Sequence, residues 1–152
     1  MNQEIKHRKS FTVLGIQSSV KQGSESTELF ARIWEKFEAE RDILESLSSS
    51  KKYYGVNFPT DKVSISEYLA GMMVPDDTLV PNGLVKRFVP EGDYAIFECH
   101  VDSIGLSYQN IFTKWLPAAS VLFYPKNPVF EEYPEKDSAL PVSLHIPVTK
   151  NA

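Results

Sequence analysis

Two adjacent acids inside an apolar segment have the clearest capacity for binding chemistry in this sequence. Phe130-Glu131-Glu132-Tyr133 lies between two prolines and predicts a short strand over 129–133. Alternation along a strand sends Glu131 and Tyr133 to one face and Phe130 and Glu132 to the other. A carboxylate that faces inward among aromatic rings needs a cationic partner or takes a raised pKa. A flat organic cation could supply that charge and stack on the rings.

The same segment also fits an edge strand with no binding role. Charged side chains on an edge strand discourage pairing with another chain, and both acids would then be solvated. Composition and alternation leave these two interpretations open.

Two tryptophans have a similar pair of interpretations. Trp34 and Trp115 each lie on the apolar stripe of a predicted helix, where most tryptophans belong to the core. Either could instead form a wall of a ligand groove. The core stays the default for both, and the wall is more plausible for Trp115 than for Trp34, because Trp115 lies at a helix end near Pro117.

Metal and nucleophile chemistry find little support. His7, His100 and His145 are far apart in the sequence, and Cys99 and His100 are neighbours whose side chains point to opposite faces of a strand. Glycine-rich phosphate loops and the Gly-x-Ser-x-Gly turn are absent. We therefore expect no metal and no cofactor, with Cys99 a small core residue.

Length and charge limit the class of protein. The 152 residues fit one domain over 1–152, and the net charge is −4. The basic cluster at 6–9 is interpreted as solvated strand ends and loops, so we expect no nucleic-acid binding by this chain alone. The N-terminus lacks an apolar signal segment, and no apolar run approaches the ~20 residues that span a bilayer. We expect a cytoplasmic protein that does not bind membranes.

The first part of the chain predicts a strand, a helix and two strands. Residues 11–16 alternate, and an apolar helical stripe that includes Trp34 starts near a cap at Ser24 or Ser26 and continues to about Leu47. Strands follow at 53–58 and 65–74.

The second part repeats that order after an added connecting strand at 84–89. A strand at 94–100 precedes a helix at 107–116, which Pro117 is expected to end. Strands at 129–133 and 141–148 complete this second half. The sequence therefore predicts an α+β fold of duplicated β-α-β-β halves. They would form one mostly antiparallel sheet with two main helices on one face and a groove between them.

Several short motifs occur together in an order that resembles the GyrI-like effector-binding domains, which also serve as ligand domains of AraC-type and MerR-type regulators. The motifs are Tyr54-Gly-Val, Tyr68-x-Ala-Gly, Pro90-x-Gly-x-Tyr94-Ala-x-Phe97, Trp115-Leu-Pro117, Phe130-Glu131-x-Tyr133 and Ile146-Pro-Val148. Their order also resembles that of a standalone member of the kind encoded on integron cassettes.

The resemblance implies a module that binds cationic, aromatic, lipophilic effectors through a pocket glutamate. That position is Glu131, with Tyr133, Trp115, Tyr54, Trp34 and Phe97 as further candidate ligand-binding residues. Regulators of this family carry a helix-turn-helix domain, and we expect none in this chain.

Three functions stay open. The leading one is a binding module for amphipathic, cationic small molecules. The second is a small hydrolase of reactive electrophiles in which Glu131 acts as general base. The third is a protein-interaction module or regulator partner, and a homodimer is also open.

Overall fold

An antiparallel sheet carries the helices on one of its faces. The computed structural model describes residues 3–21, 27–136 and 138–150. Its strands are β1 (Gln3–Arg8), β2 (Phe11–Lys21), β3 (Tyr53–Pro59), β4 (Ile65–Val74), β5 (Val85–Val89), β6 (Gly92–Cys99), β7 (Val121–Phe123), β8 (Val129–Tyr133) and β9 (Val142–Lys150). Its helices are α1 (Thr27–Ala39), α2 (Arg41–Leu47), α3 (Ile104–Asn110) and α4 (Leu116–Ala118). The predicted α+β class is confirmed.

The strand order reveals the duplication. The sheet runs β1-β6-β9-β8-β3-β4-β2-β5, with β7 beside the end of β9. On one side of the β8–β3 junction lie β8, β9 and β6, and on the other lie β3, β4 and β2, in mirrored order. The short strand before each half crosses over, since β1 pairs with β6 and β5 pairs with β2. These crossings tie the two halves into one sheet.

The helices cover the sheet through their apolar stripes. Ile33 and Phe37 of α1 are buried against the β4 side chains of Ala70 and Met72. In the second half Ile111 is buried in a cluster with residues of β6 and β9, among them Leu144. The 3.6-residue period of the two stripes thus places one helical layer over each half of the sheet.

The other sheet face also holds a core. Phe11, Tyr54, Val56, Tyr94 and Phe130 are buried together there. Central strands of this sheet are therefore covered on both faces.

The first helix is shorter than predicted. A break at Glu40, whose φ and ψ are −104° and 6°, separates α1 from α2, whereas we expected one helix to about Leu47. Immediately after the break the Arg41 guanidinium lies over the rings of Phe37 and Tyr53 and binds the carboxylate of Glu38. The candidate caps Ser24 and Ser26 lie outside the described residues.

The second helical segment is longer than predicted. It begins with a 3₁₀ turn at Val101–Ser103, continues through α3 and includes a turn of i→i+5 hydrogen bonds at Ile111–Trp115 before α4. Pro117 does not end it. Pro117 occupies the first turn of α4, where its missing N–H is tolerated, and the helix ends at Ala118.

Two short strands were not predicted. Residues 3–8 form the edge strand β1, which includes most of the basic cluster at 6–9 that was interpreted as strand ends and loops, and 121–123 form β7. Among the described residues no helix has the length and apolar character needed to cross a membrane.

Candidate functional site

Glu131 lies in a row of side chains that runs across six strands beneath the helices. The register aligns, from β2 to β6, Ile16, Ala70, Gly55, Glu131, Leu144 and Phe97. Glu131 is the only charged member of this row. Because β8 pairs with β3 on one side and β9 on the other, the carboxylate sits in the middle of the sheet and not at an edge. The interpretation of β8 as a solvated edge strand is therefore wrong.

Three tyrosine hydroxyls surround the Glu131 carboxylate. Tyr68 of β4 donates to Oε1 over 2.9 Å, and Tyr108 of α3 donates to Oε2 over 2.7 Å. Tyr133, two residues along the same strand, donates to Oε1 over 3.3 Å. Glu131 is only 4% exposed, and no ion pair involves it among the residues that the structure describes.

Burial without a cation changes the acidity of this group. Desolvation raises the pKa of Glu131 to about 7, because the charged form loses its water. The hydroxyls of Tyr108, Tyr68 and Tyr133 oppose the rise, since each donates a hydrogen bond to the carboxylate. The same burial raises the pKa of Tyr68 and of Tyr108 well above its ordinary value, so both hydroxyls stay protonated.

Gly55 makes room for this arrangement. It stands opposite Glu131 on β3, and a Cβ placed there would lie 2.0 Å from the Tyr68 hydroxyl oxygen and 2.6 Å from Glu131 Oε1. Any side chain would push these two groups apart. The glycine of the Tyr54-Gly-Val motif is thus required by the close approach of the tyrosine and the carboxylate.

Aromatic rings cover the carboxylate on the helix side. The Trp34 ring meets Tyr133 edge-on at 5.2 Å between centroids and lies 6.4 Å from Tyr68. Phe30, one helical turn earlier, meets Tyr68 edge-on at 4.9 Å. Phe30, Trp34 and Tyr108 are each half-buried. Reaching Glu131 from solvent therefore requires these side chains to move.

Among the sequence-predicted residues, the structure brings Glu131, Tyr133 and Trp34 together. Phe97 and Trp115 lie on the same face but form a separate pair, with their rings edge-to-face at 4.9 Å. Leu144 stands between Phe97 and Glu131 in the row. Trp115 also borders a shallow surface depression of about 480 Å³ with Asn110, Lys114, Ala118 and Ala119.

Tyr54 points the other way. Its ring packs against Phe11 at 5.3 Å and Phe130 at 6.3 Å on the face opposite the helices. The reason is alternation: Gly55, the next residue, is the one that faces Glu131. Tyr54 is thus on the other side of the sheet from the carboxylate that it was expected to accompany.

Sequence reasoning missed two of the three hydroxyl donors. Tyr108 lay within the predicted helix at 107–116 and Tyr68 in one of the family-like motifs, but neither was assigned to the site. A buried tyrosine hydroxyl needs a hydrogen-bond partner. The need of both hydroxyls for an acceptor was the signal that could have assigned Tyr68 and Tyr108 to the same acid.

The neighbouring acid belongs to a different network. Glu132 accepts from Arg8 Nη1 over 2.9 Å and from Lys52 Nζ over 3.0 Å on the opposite face. Arg8 also contacts Nε2 of the buried His145, and desolvation lowers the pKa of that imidazole to about 4. His145 is therefore a neutral acceptor, and its ring stacks on Phe130. Within the described residues no group of three or more histidine, cysteine or acidic side chains could hold a metal ion.

Comparison with known proteins gives a family and a fold. A family model described as integron-associated effector-binding protein matches residues 4–148. No curated protein matches the sequence.

Three solved structures share the architecture. SAV2435 bound to tetraphenylphosphonium superposes with a TM-score of 0.80, with 16% identity over 98% of this chain and 94% of that chain. The integron cassette protein VCH_CASS2 from the mobile metagenome of Vibrio cholerae superposes with a TM-score of 0.74, with 20% identity over 97% of this chain and 95% of that chain. The C-terminal domain of EcmrR superposes with a TM-score of 0.64, with 16% identity over 99% of this chain and 98% of that chain. At these identities the likeness shows the fold, the GyrI-like arrangement of two β-α-β-β halves.

Proposed function

Because the chain belongs to the family of integron-associated effector-binding proteins, we propose that it binds lipophilic aromatic cations and meets their charge with the Glu131 carboxylate. The observation that carries the proposal is a buried acid with no cationic partner among the described residues, held by three tyrosine hydroxyls. A buried carboxylate without a cationic partner is costly for the fold, and a cationic ligand reduces that cost.

The surroundings fit the aromatic part of such a ligand. Tyr68 and Tyr133 contact the acid through their hydroxyls, and the rings of Phe30 and Trp34 pack edge-on against those two tyrosines. Rings of this kind attract a cation through their negative faces, and they pack edge-on against phenyl groups. The tetraphenylphosphonium bound by SAV2435 combines one positive charge with four phenyl groups, which supports the same ligand class for this chain.

Binding must uncover the acid. With only 4% of Glu131 exposed, a ligand of that size reaches it only by displacing the half-buried side chains above it. Phe30 and Trp34 come from α1, and Tyr108 comes from α3. The ligand would thus enter between the two helical regions and replace side-chain contacts with its own.

The test is a titration with tetraphenylphosphonium, followed by calorimetry or tryptophan fluorescence. We expect Glu131→Gln to weaken binding roughly 30-fold or more, since losing one partner of a buried charge pair costs about 2–5 kcal/mol. Glu132→Gln is the matched control, because the adjacent acid faces the other side of the sheet and should leave affinity unchanged.

A second control reverses the ligand charge. Tetraphenylborate has nearly the same shape and the opposite charge, so it should bind far more weakly to the wild-type protein than the phosphonium does. Equal binding of both ions, or equal binding of the phosphonium to wild type and Glu131→Gln, would show that the carboxylate does not select the charge.

A second candidate function is hydrolysis of reactive electrophiles with Glu131 as general base. One observation favours it: a carboxylate with a pKa of about 7 can accept a proton near neutrality. Turnover of an electrophilic ester or epoxide by the wild type, lost in Glu131→Gln, would support it. If the protein binds tetraphenylphosphonium but turns over no such substrate, the hydrolase function is contradicted and the binding function remains.

A further inference from the structure

The partners of Glu131 can serve both of its protonation states. A tyrosine hydroxyl rotates and either donates to a carboxylate or accepts from a carboxylic acid, whereas lysine and arginine only donate. Tyr68, Tyr108 and Tyr133 place three such hydroxyls within 3.3 Å of the two carboxyl oxygens. Both carboxyl oxygens therefore keep a hydrogen-bond partner whether Glu131 gains or loses a proton.

Among the residues that the structure describes, the elements packed around the carboxyl contribute no cationic group within hydrogen-bond reach. Besides the three tyrosines, the titratable neighbour is Cys99 of β6, whose thiol pKa is raised by burial and, to a smaller degree, by the nearby Glu131. The paired position on β3 is Gly55, and that on β9 is Leu144. From α1 the side chains above the tyrosines are Phe30 and Trp34.

In the described part of the chain no cation pairs with a negative charge at this position, so a proton is what neutralises the carboxyl when the site is empty. Burial raises the pKa of Glu131 to about 7, in contrast to Glu132, whose pKa is held below its ordinary value by Lys52 and Arg8. Near neutrality the empty site is divided between its acid and carboxylate forms.

We propose that a bound cation takes the place of the Glu131 proton, so that ligand binding releases a proton to solvent and grows stronger as pH rises. This inference rests on the proposed function. The exchange keeps the buried site neutral, because the protonated acid of the empty site is replaced by a carboxylate paired with a cation. No covalent bond of the ligand changes.

The exchange makes two quantities depend on pH. Affinity for a permanent cation should rise about tenfold per pH unit well below neutrality and become constant above about pH 8, since binding requires the carboxylate form. The number of protons released should approach one at pH 6 and fall towards zero at pH 8.5. Tetraphenylphosphonium is the suitable probe, because its own charge does not change with pH.

The experiment is calorimetry of tetraphenylphosphonium binding in buffers of matched pH but different ionisation enthalpy. The wild type should show buffer-dependent heat at pH 6–7, and Glu131→Gln should show residual weak binding with no proton release and no pH dependence. His7→Gln controls for the exposed His7, whose pKa is raised above its ordinary value by hydrogen bonds to Asp93 and Glu91. It should release protons as the wild type does.

The outcomes separate the two claims. Binding that depends on Glu131 but releases no proton and stays constant from pH 6 to 8.5 overturns the exchange and leaves the proposed function. Proton release that persists in Glu131→Gln also overturns the exchange. Binding that does not depend on Glu131 at any pH overturns the proposed function itself.

Discussion

Glu131 and Glu132 are consecutive residues whose carboxylates lie on opposite faces of β8 in opposite electrostatic surroundings. Glu131 is held by tyrosine hydroxyls, and its pKa is raised to about 7. Glu132 is held by Arg8 and Lys52, and its pKa is lowered. One acid is thus paired with two cationic side chains of the protein, while the other has no cationic partner among the described residues.

Replacing Glu131 by glutamine should stabilise the empty protein at neutral and alkaline pH. The folded-state pKa of about 7 lies above the ordinary value of 4.5, so the folded state holds its proton more tightly than the unfolded chain. The wild type therefore loses stability as pH rises from about 4.5 to 7. The free energy of unfolding of Glu131→Gln should exceed that of the wild type by roughly 3 kcal/mol above pH 7, and the difference should vanish near pH 4. Urea denaturation at several pH values measures it, and a constant difference across this range would contradict it.

Replacing Glu132 by glutamine should have the reverse effect. Glu132 has a lowered pKa, so its stabilisation is present at neutral pH and is lost as pH falls below its ordinary value of 4.5. Removing it leaves Arg8 and Lys52 without their carboxylate, at a cost of about 1–3 kcal/mol at pH 7. Urea denaturation should show that Glu132→Gln has a lower free energy of unfolding than the wild type at pH 7, and nearly the same value at pH 3. An equal loss at both would argue against the charge network as the cause.

A methyl group at position 55 should disturb both the fold and the site. In Gly55→Ala the new Cβ would overlap the Tyr68 hydroxyl and Glu131 Oε1, and we expect a loss of about 1–3 kcal/mol in stability. The affinity for tetraphenylphosphonium should fall as well. Gly105→Ala is the matched control, since a Cβ there meets nothing within 4 Å and alanine favours the helix. Thermal unfolding and calorimetry of both variants measure stability and affinity. If both quantities were unchanged in Gly55→Ala, the close approach of Tyr68 and Glu131 at this position would be contradicted.

Removing a tyrosine hydroxyl should raise the pKa of Glu131 further. Tyr108→Phe and Tyr68→Phe each delete a donor to the carboxylate, and a hydrogen bond to a charged group contributes about 1.5–3 kcal/mol, or roughly one to two pH units. Tyr133→Phe should have a smaller effect, because its hydroxyl is 3.3 Å away. Carbon NMR of labelled glutamate side chains follows the titration directly.

The control for these variants is Tyr94→Phe. The Tyr94 hydroxyl binds the Pro90 carbonyl oxygen, and its ring belongs to the core on the opposite face, so the Glu131 titration should not change. A similar shift in all four variants would mean that the hydroxyls act through general loosening of the fold.

Local patterns were sufficient for much of the architecture. The alternation of 129–133 correctly assigned Glu131 and Tyr133 to one face, and the helical period of α1 correctly placed Trp34 among buried side chains. The order of elements predicted the two halves and the single sheet. These features follow from periods of two and 3.6 residues, which the sequence displays directly.

Which residues meet across the sheet was decided only by tertiary structure. Tyr68 reaches Glu131 from 63 positions away, through the register of β4, β3 and β8, and nothing local predicts that register. The same register turned Gly55 towards the acid and Tyr54 away from it. The helix break at Glu40 and the continuation through Pro117 were likewise not predicted from the sequence. Side-chain type and spacing determined that an acid lies in an apolar strand, whereas strand pairing determined that it is central, buried and surrounded by hydroxyls, because burial and pKa are properties of neighbours distant in the chain.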